Sequence, residues 1–487
     1  MLKRKFSIVI YLILISVIFL PPVKAKVELN EDLFYELMKI ENNKPEIKIP
    51  EYKKIKLDNG LIAYLVKDSD FPIVEVTGFI KGGRRQENLD IAGISDIMVK
   101  MMSNGTKNLS EEEYARQKEI HGIDINFGIN NDTFDFRANA LSSQINNLLS
   151  LLADSLKNPN FEATYFRRIL QEQNQYLAQA TVQPNQLLNS YFFKNIYNNH
   201  PYSFANNIKL KKSNLRTYNP NKLREFYNDS ISPEKMIIAI VGDINIKNTK
   251  NILEDNFADW KKKDIDIKNT EVEEMTYNIN EVIIVDKQDS DQAHMKIGHN
   301  FPGYDFKRDT AFLIGNRIFG QGGFSSRLME EIRTKKGYAY SIYSNTSYNK
   351  NGGVYYISTK VDAEKAPKVI NAVKEEMRAI KTAKKEITEE EVTENINLYN
   401  GLLPSNYKYL VSIMNGYIYE TVLLGEKNDY LNSFIEEYNS LTDSEVQRVM
   451  ADKLQPDKLL TVVVGNSKKL KPVFEDAGYE VRIITNR

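Results

Sequence analysis

Asp96 and Lys100 stand four residues apart in the segment Gly93 to Thr106, a spacing that sets two side chains on one side of a helix. On the same segment Ile94, Ile97, Met98, Met101 and Met102 recur at helical spacing and make one buried stripe. Hydrolysis at zinc needs imidazole or carboxylate ligands and a base to take a proton from the metal-bound water. Asp96 has the chemistry of a ligand. Lys100, when protonated, is not one and repels a dication, and Val99 between them accepts no proton. The plain alternative is a solvated i,i+4 ion pair worth about 0.5 kcal/mol or less.

A second group lies far along the chain. Arg333 and Tyr340 are seven apart, downstream of the run Gly320-Gln321-Gly322-Gly323. Guanidinium and phenol donors are suited to stabilising developing negative charge. By pattern alone, Arg333 also reads as a solvated helix residue and Tyr340 as an alternating strand position. Gly320, Gly322 and Gly323 permit the close backbone approach that an extended peptide needs, and equally suit a turn between helices. The four histidines, His121, His200, His294 and His299, form no ligand cluster by spacing. His294 and His299, five apart on a strand pattern, face opposite sides.

The elements that must hold these residues follow from a duplication. Pro233 to Asp243 recurs without gaps as Pro456 to Asn466, each copy a turn, a fully apolar strand and a closing glycine. The 487 residues therefore divide into a basic and apolar leader with a cleavage site (1–25), an N-terminal extension (26–50), a first domain (51–262), a charged linker (263–274) and a second domain (275–487). The leader marks the chain as exported, periplasmic or extracellular, with membrane attachment only if the leader is retained. Ser110-Glu113 and Thr388-Glu391 are capping boxes that open helices. Strands clustered with long amphipathic helices predict an α+β layer architecture in each half. Lysines plus arginines equal acids at 65 each, so no basic field recruits nucleic acid, and the lack of cysteine excludes disulfides and thiolate metal sites.

With these residues in place, the chain resembles the pitrilysin/insulinase family of zinc peptidases, especially two-domain bacterial members similar to mitochondrial processing peptidase subunits. The likeness runs through Leu57-Asp58-Asn59-Gly60-Leu61, Gly78 to Arg84, the Gly105-Thr106 turn, the stretch Asn316 to Leu328 and Glu331 to Tyr340. It implies two tandem homologous domains, each a mostly antiparallel sheet packed with helices. The family's inverted His-x-x-Glu-His motif falls on Asp96, Val99 and Lys100, and its third zinc ligand on Glu172. The resemblance thus implies no metal in this chain, and the charges leave two readings open: Lys100 in the metal's place, paired with Glu172 and Asp96, or Asp96 and Lys100 as a solvated pair. In the family, an arginine and a tyrosine at the positions of Arg333 and Tyr340 bind the substrate backbone and the oxyanion. The implied role is a non-catalytic, substrate-binding subunit that completes the active site of a zinc-bearing partner in a heterodimer acting on peptides. The other readings are a structural scaffold of the same fold, and an active metallopeptidase whose metal is held by Asp96 and Glu172.

Overall fold

The computed structural model describes residues 44–273, 277–303, 306–425 and 428–485. The expected leader (1–25) and residues 26–43 of the N-terminal extension lie outside the described residues, within which no helix is long and apolar enough to cross a membrane.

Two six-stranded sheets carry the fold. The first runs in the order β1 (Lys53–Lys56), β2 (Ile62–Lys67), β6 (Met236–Gly242), β3 (Ile73–Lys81), β5 (Thr133–Leu141), β4 (Asp124–Ile129). The second runs β12 (Glu480–Thr485), β7 (Glu281–Asp286), β11 (Leu460–Gly465), β8 (Ala293–Phe301), β10 (Gly353–Val361), β9 (Ile342–Ser347). The repeated segments are the equivalent strands β6 and β11. Each lies parallel to the first long strand of its own half, with Lys67 opposite Gly242 and Asp286 opposite Gly465, and antiparallel to the next. Both sheets are mostly antiparallel, as the α+β reading requires. Only the outermost strand differs: β1 enters antiparallel from upstream, whereas β12 is the parallel C-terminal strand. Both expected capping boxes form, and a third, unanticipated one opens the helix Asp443–Lys453 with Thr442 and Glu445.

The uninterrupted apolar character of β6 and β11 has a structural cause. Along β6, Met236, Ile238 and Ile240 enter the core of the first half, while Ile237, Ala239 and Val241 face a second apolar layer. That second layer is made by the other half: the helix Leu410–Ile418 lays Met414, Tyr417 and Ile418 across the outer face of the first sheet. The exchange is reciprocal. The helix Pro184–Tyr197 of the first half lays Leu188, Phe192 and Ile196 on Ile283, Val285, Val462 and Val464 of the second sheet. Strands buried on both faces read as continuous apolar runs rather than alternating ones.

Polar groups fix the register between the halves. Asp132 (4% exposed) accepts from the Tyr202 hydroxyl at 2.7 Å and from the Lys350 amide at 3.1 Å, beside the Arg85 guanidinium at 3.5 Å. Asn351 accepts from Arg85 at 3.2 Å and donates to Asn269 and Glu271 of the linker at 2.9 and 3.1 Å. The hub joins a turn of the first half, a hairpin of the second and the segment between them. Its members satisfy one another, as buried polar groups must.

Under the helix Pro184–Tyr197, Lys296 of β8 is enclosed by Phe192, Phe193 and Tyr356, its ammonium 3.5 Å from the Tyr356 ring centre. Burial pushes this ammonium down to about 7 from an ordinary value of 10.5. Between those values the unfolded chain holds a proton that the native state has released, so Lys296 opposes folding below about pH 7 and ceases to do so as pH rises toward 10.5. Lys296→Met is expected to raise the thermal midpoint at about pH 6, by an increment that shrinks steadily toward about pH 9; a midpoint difference independent of pH would refute this.

Candidate functional site

The helix Ile94–Met102 buries Ile94, Ile97, Met98, Met101 and Met102 as its spacing predicts. Its start has an unusual cap. Glu87 (1% exposed) accepts from the Gly93 amide at 2.8 Å, from the Ser95 amide at 3.1 Å and from the Ser95 hydroxyl, placing a carboxylate at the positive end of the helix. Burial raises the Glu87 carboxyl above its ordinary range, against the opposing pull of Arg84.

Asp96 does not turn toward Lys100. It meets Arg84 at 2.5 Å and Lys211 at 2.7 Å, and both cations are themselves buried. Burial alone would push the Asp96 carboxyl up, but the charges of Lys211 and Arg84 overcome it and hold it well below the usual carboxylate range. Gly93 makes the Lys211 contact feasible: its φ is +95°, and an added Cβ would stand 2.9 Å from Lys211 Cγ.

The structure corrects the expected pairing of Lys100. Its ammonium donates to Gln173 at 2.9 Å, not to Glu172. On the helix Ala163–Ala180 the buried face is Phe166, Ile169, Gln173, Leu177 and Ala180. Glu172 lies off that face, half exposed, with Arg168 at 3.6 Å. A helix turns 100° per residue, so one step of register exchanges a carboxylate for an amide. The periodicity of 166, 169, 173 and 177 carried that signal in the sequence.

These groups do not fit a zinc ion. Asp96 is already neutralised by two cations, Val99 has no donor, Lys100 brings a positive charge, and Gln173 offers an amide where a carboxylate would be needed. The same facts overturn the reading of an active metallopeptidase with Asp96 and Glu172 as ligands, because the two carboxylates have separate cation partners and different environments.

In the second half, Arg333 and Tyr340 do come together. Arg333 sits in the wide helical turn Met329–Lys335, anchored by the buried Met329 and Ile332. Gly337, with φ +61°, ends the turn, and the Tyr338 amide bonds back to the Ile332 carbonyl at 2.9 Å. The chain reverses, and the Tyr340 ring comes to rest 5.2 Å from the guanidinium carbon. Phe324 stands 4.5 Å from the same carbon. Phe324 follows Gly323, whose φ of +76° disfavours other residues. The guanidinium thus packs against two rings that are themselves 72% and 77% exposed. Its side chain makes no hydrogen bond or ion pair among the described residues. Arg327, six positions earlier, is the contrast: it is saturated by Glu391 and by the carbonyls of Lys385 and Glu386. Phe324 was not singled out by sequence reasoning; a large aromatic beside glycines in a loop was the available sign.

The other glycines serve the scaffold. An added Cβ at Gly320 would stand 2.6 Å from Ser344 Oγ, and one at Gly322 would stand 2.5 Å from the Arg317 carbonyl oxygen. The histidines are likewise engaged in the framework. His294 meets Asn185 at 2.9 Å on one side of β8, and His299 bonds the Asn300 carbonyl at 2.7 Å. His200 bonds the Thr270 carbonyl at 2.8 Å, and His121 meets Asn147 at 3.2 Å.

Comparison with known proteins agrees with this architecture. Residues 64–205 match the insulinase (peptidase family M16) domain, and residues 217–399 match the peptidase M16 inactive domain. The chain is 23% identical over 411 residues to an uncharacterized zinc protease, YmxG, of Bacillus subtilis, covering 84% of this chain and 98% of that one. It is 22% identical over 412 residues to a non-peptidase homolog, YmxG, of Helicobacter pylori, covering 81% and 90%. A crystal structure of a peptidase M16 inactive domain from Pseudomonas fluorescens superposes with a TM-score of 0.77 at 21% identity, covering 85% of this chain and 98% of that one. A protease from Helicobacter pylori superposes with a TM-score of 0.74 at 19% identity, covering 86% and 100%. The chain belongs to the pitrilysin/insulinase (M16) peptidase family. It carries two tandem M16 domains, the second of them matching the model described as the inactive domain.

The ion cluster and the Lys100 contact should respond very differently to substitution. Asp96→Asn leaves Arg84 and Lys211 buried without a counter-charge and is expected to cost about 3–5 kcal/mol in denaturant unfolding. Lys100→Met loses one hydrogen bond and is expected to cost about 1 kcal/mol. Equal losses from the two substitutions would contradict the assignment.

Proposed function

We infer that this chain is an exported, substrate-binding subunit of a zinc metallopeptidase complex, and that Arg333 and Tyr340 act in the active site of a zinc-bearing pitrilysin-like partner. The observation that carries this reading is the state of Arg333. A guanidinium that has no acid or carbonyl partner among the described residues, packed against two exposed rings, has its donors available for a group that another molecule brings. With its side chain packed only against rings, its N–H donors are available to a peptide carbonyl or a developing oxyanion. The exposed phenol of Tyr340 stands beside it as a second donor. The first half, whose metal positions hold an ion cluster and a lysine, supports a division of labour in which zinc and the general base reside in the partner.

The reading predicts a clear biochemical pattern. The purified chain binds no stoichiometric zinc and cleaves no peptide; metal analysis that finds about one zinc per chain would reject it. The partner to test is a pitrilysin-like chain with an intact His-x-x-Glu-His, sought first in the neighbouring reading frame. Co-purified with that partner, the complex cleaves peptides. Arg333→Ala or Tyr340→Phe then lowers kcat by about 10²-fold or more, the loss typical of removing one oxyanion donor. Phe324→Leu, which loosens the guanidinium without removing a donor, lowers activity by about threefold, as expected for one lost exposed cation–π contact. Full cleavage by both Arg333→Ala and Tyr340→Phe would instead favour the scaffold role.

A further inference from the structure

The helix that the first half lends to the second has a far face, and that face lines an open cavity of about 340 Å³. Leu187, Ser190, Tyr191 and Lys194 approach it from the helix Pro184–Tyr197, and Ile208, Lys209, Lys212 and Arg216 from the helix Ile208–Asn214 and the turn after it. The Ile208 amide donates to the Ser190 hydroxyl at 3.1 Å and ties the two walls together.

Four cations therefore converge on this cavity, with no carboxylate in its lining. Among the described residues none of their side chains makes an ion pair or hydrogen bond, whereas Lys211, on the inward side of the same helix, is committed to Asp96. Lys209, Lys212 and Arg216 follow one another at i, i+3 and i+7, so they stack along one face and repel, by about 0.2–0.5 kcal/mol per adjacent pair. Local sequence provides no relief. No Asp or Glu occurs between Glu172 and Glu225, a stretch with seven lysines and arginines, although the chain as a whole is balanced at 65 of each sign. A like-charge stack kept free of acids is a cost to the folded state that a bound anion would remove.

We propose that this cavity is a binding site for a phosphate group, carried by a soluble phosphate ester or by a phospholipid headgroup. The cavity is too small for a length of polymer, and lysine ammoniums act as point charges suited to a compact, multiply charged oxyanion. Leu187, Ile208 and the Tyr191 ring offer an apolar floor to the organic part of an ester or headgroup.

The test uses the full chain and the triple variant Lys209→Gln, Lys212→Gln, Arg216→Gln. Without ligand the variant melts at the same or a higher temperature than the parent, because repulsion is removed. Inorganic phosphate raises the midpoint of the parent saturably, by about 2 °C or more over sodium chloride of equal ionic strength, and leaves the variant unmoved. In the second arm, vesicles of phosphatidylglycerol in phosphatidylcholine sediment the parent, and pure phosphatidylcholine vesicles do not. Phosphate stabilisation alone identifies a soluble ester; vesicle binding lost in the variant identifies the headgroup. A response in neither arm, or one that the variant retains in full, overturns the site.

Discussion

The reciprocal exchange of helices between the halves is the constraint on which the rest of the molecule depends. Each sheet has an inner face in the core of its own half and an outer face across which a helix of the other half is laid. An α+β half of this kind, taken alone, would expose Tyr64, Phe79, Ile237 and Val241, or Ile283, Val285, Val462 and Val464, as one continuous apolar surface. Burying apolar area of that extent is worth tens of calories per square ångström, and each exchange covers one of the two sheets. The buried hub around Asp132, Tyr202 and Asn351 then selects one register among the ways two apolar faces could slide. The two homologous domains behave as one body for this reason.

On that rigid frame, the helix that carries metal chemistry in relatives has become a structural element. Glu87 caps it, Asp96 is clamped by Arg84 and Lys211, and Lys100 reaches across to Gln173. The Asp96 carboxylate is balanced by two buried cations of the chain itself. The second half shows the opposite economy of contacts. Arg327 makes four hydrogen bonds to Glu391, Lys385 and Glu386, while the Arg333 side chain a few residues on makes none among the described residues and packs against rings. The Arg333 guanidinium stands near the surface against Phe324 and Tyr340, with Gly323 and Gly337, both at positive φ, in the turns that carry these rings.

Much of this was legible in the residues. The gapless repeat located the equivalent strands β6 and β11, and their unbroken apolar runs announced burial on both faces. The apolar stripe of Ile94 to Met102 and both capping boxes formed where spacing placed them, because these are interactions between residues within one or two turns. The partner of Lys100 is neither of those the charges suggested: motif alignment points to Glu172, whereas helical periodicity puts Gln173 on the buried face. Phe324 escaped notice because its significance lies in a ring-to-guanidinium contact that no local pattern encodes.

By itself the sequence determined the duplication, the amphipathic helices and the loss of metal chemistry at positions 96, 99 and 100, since each depends on residue identity and short-range periodicity. Tertiary structure alone decided which partners the buried charges took and what covered each sheet. Lys211 reaches Asp96, and Leu188 and Phe192 reach Val462 and Val464, only because the chain returns to the same place after long excursions. Contacts of that kind are chosen by proximity in the folded body, where desolvation makes an unpaired charge or a bare apolar face costly, and that selection leaves no periodic trace in the order of the residues.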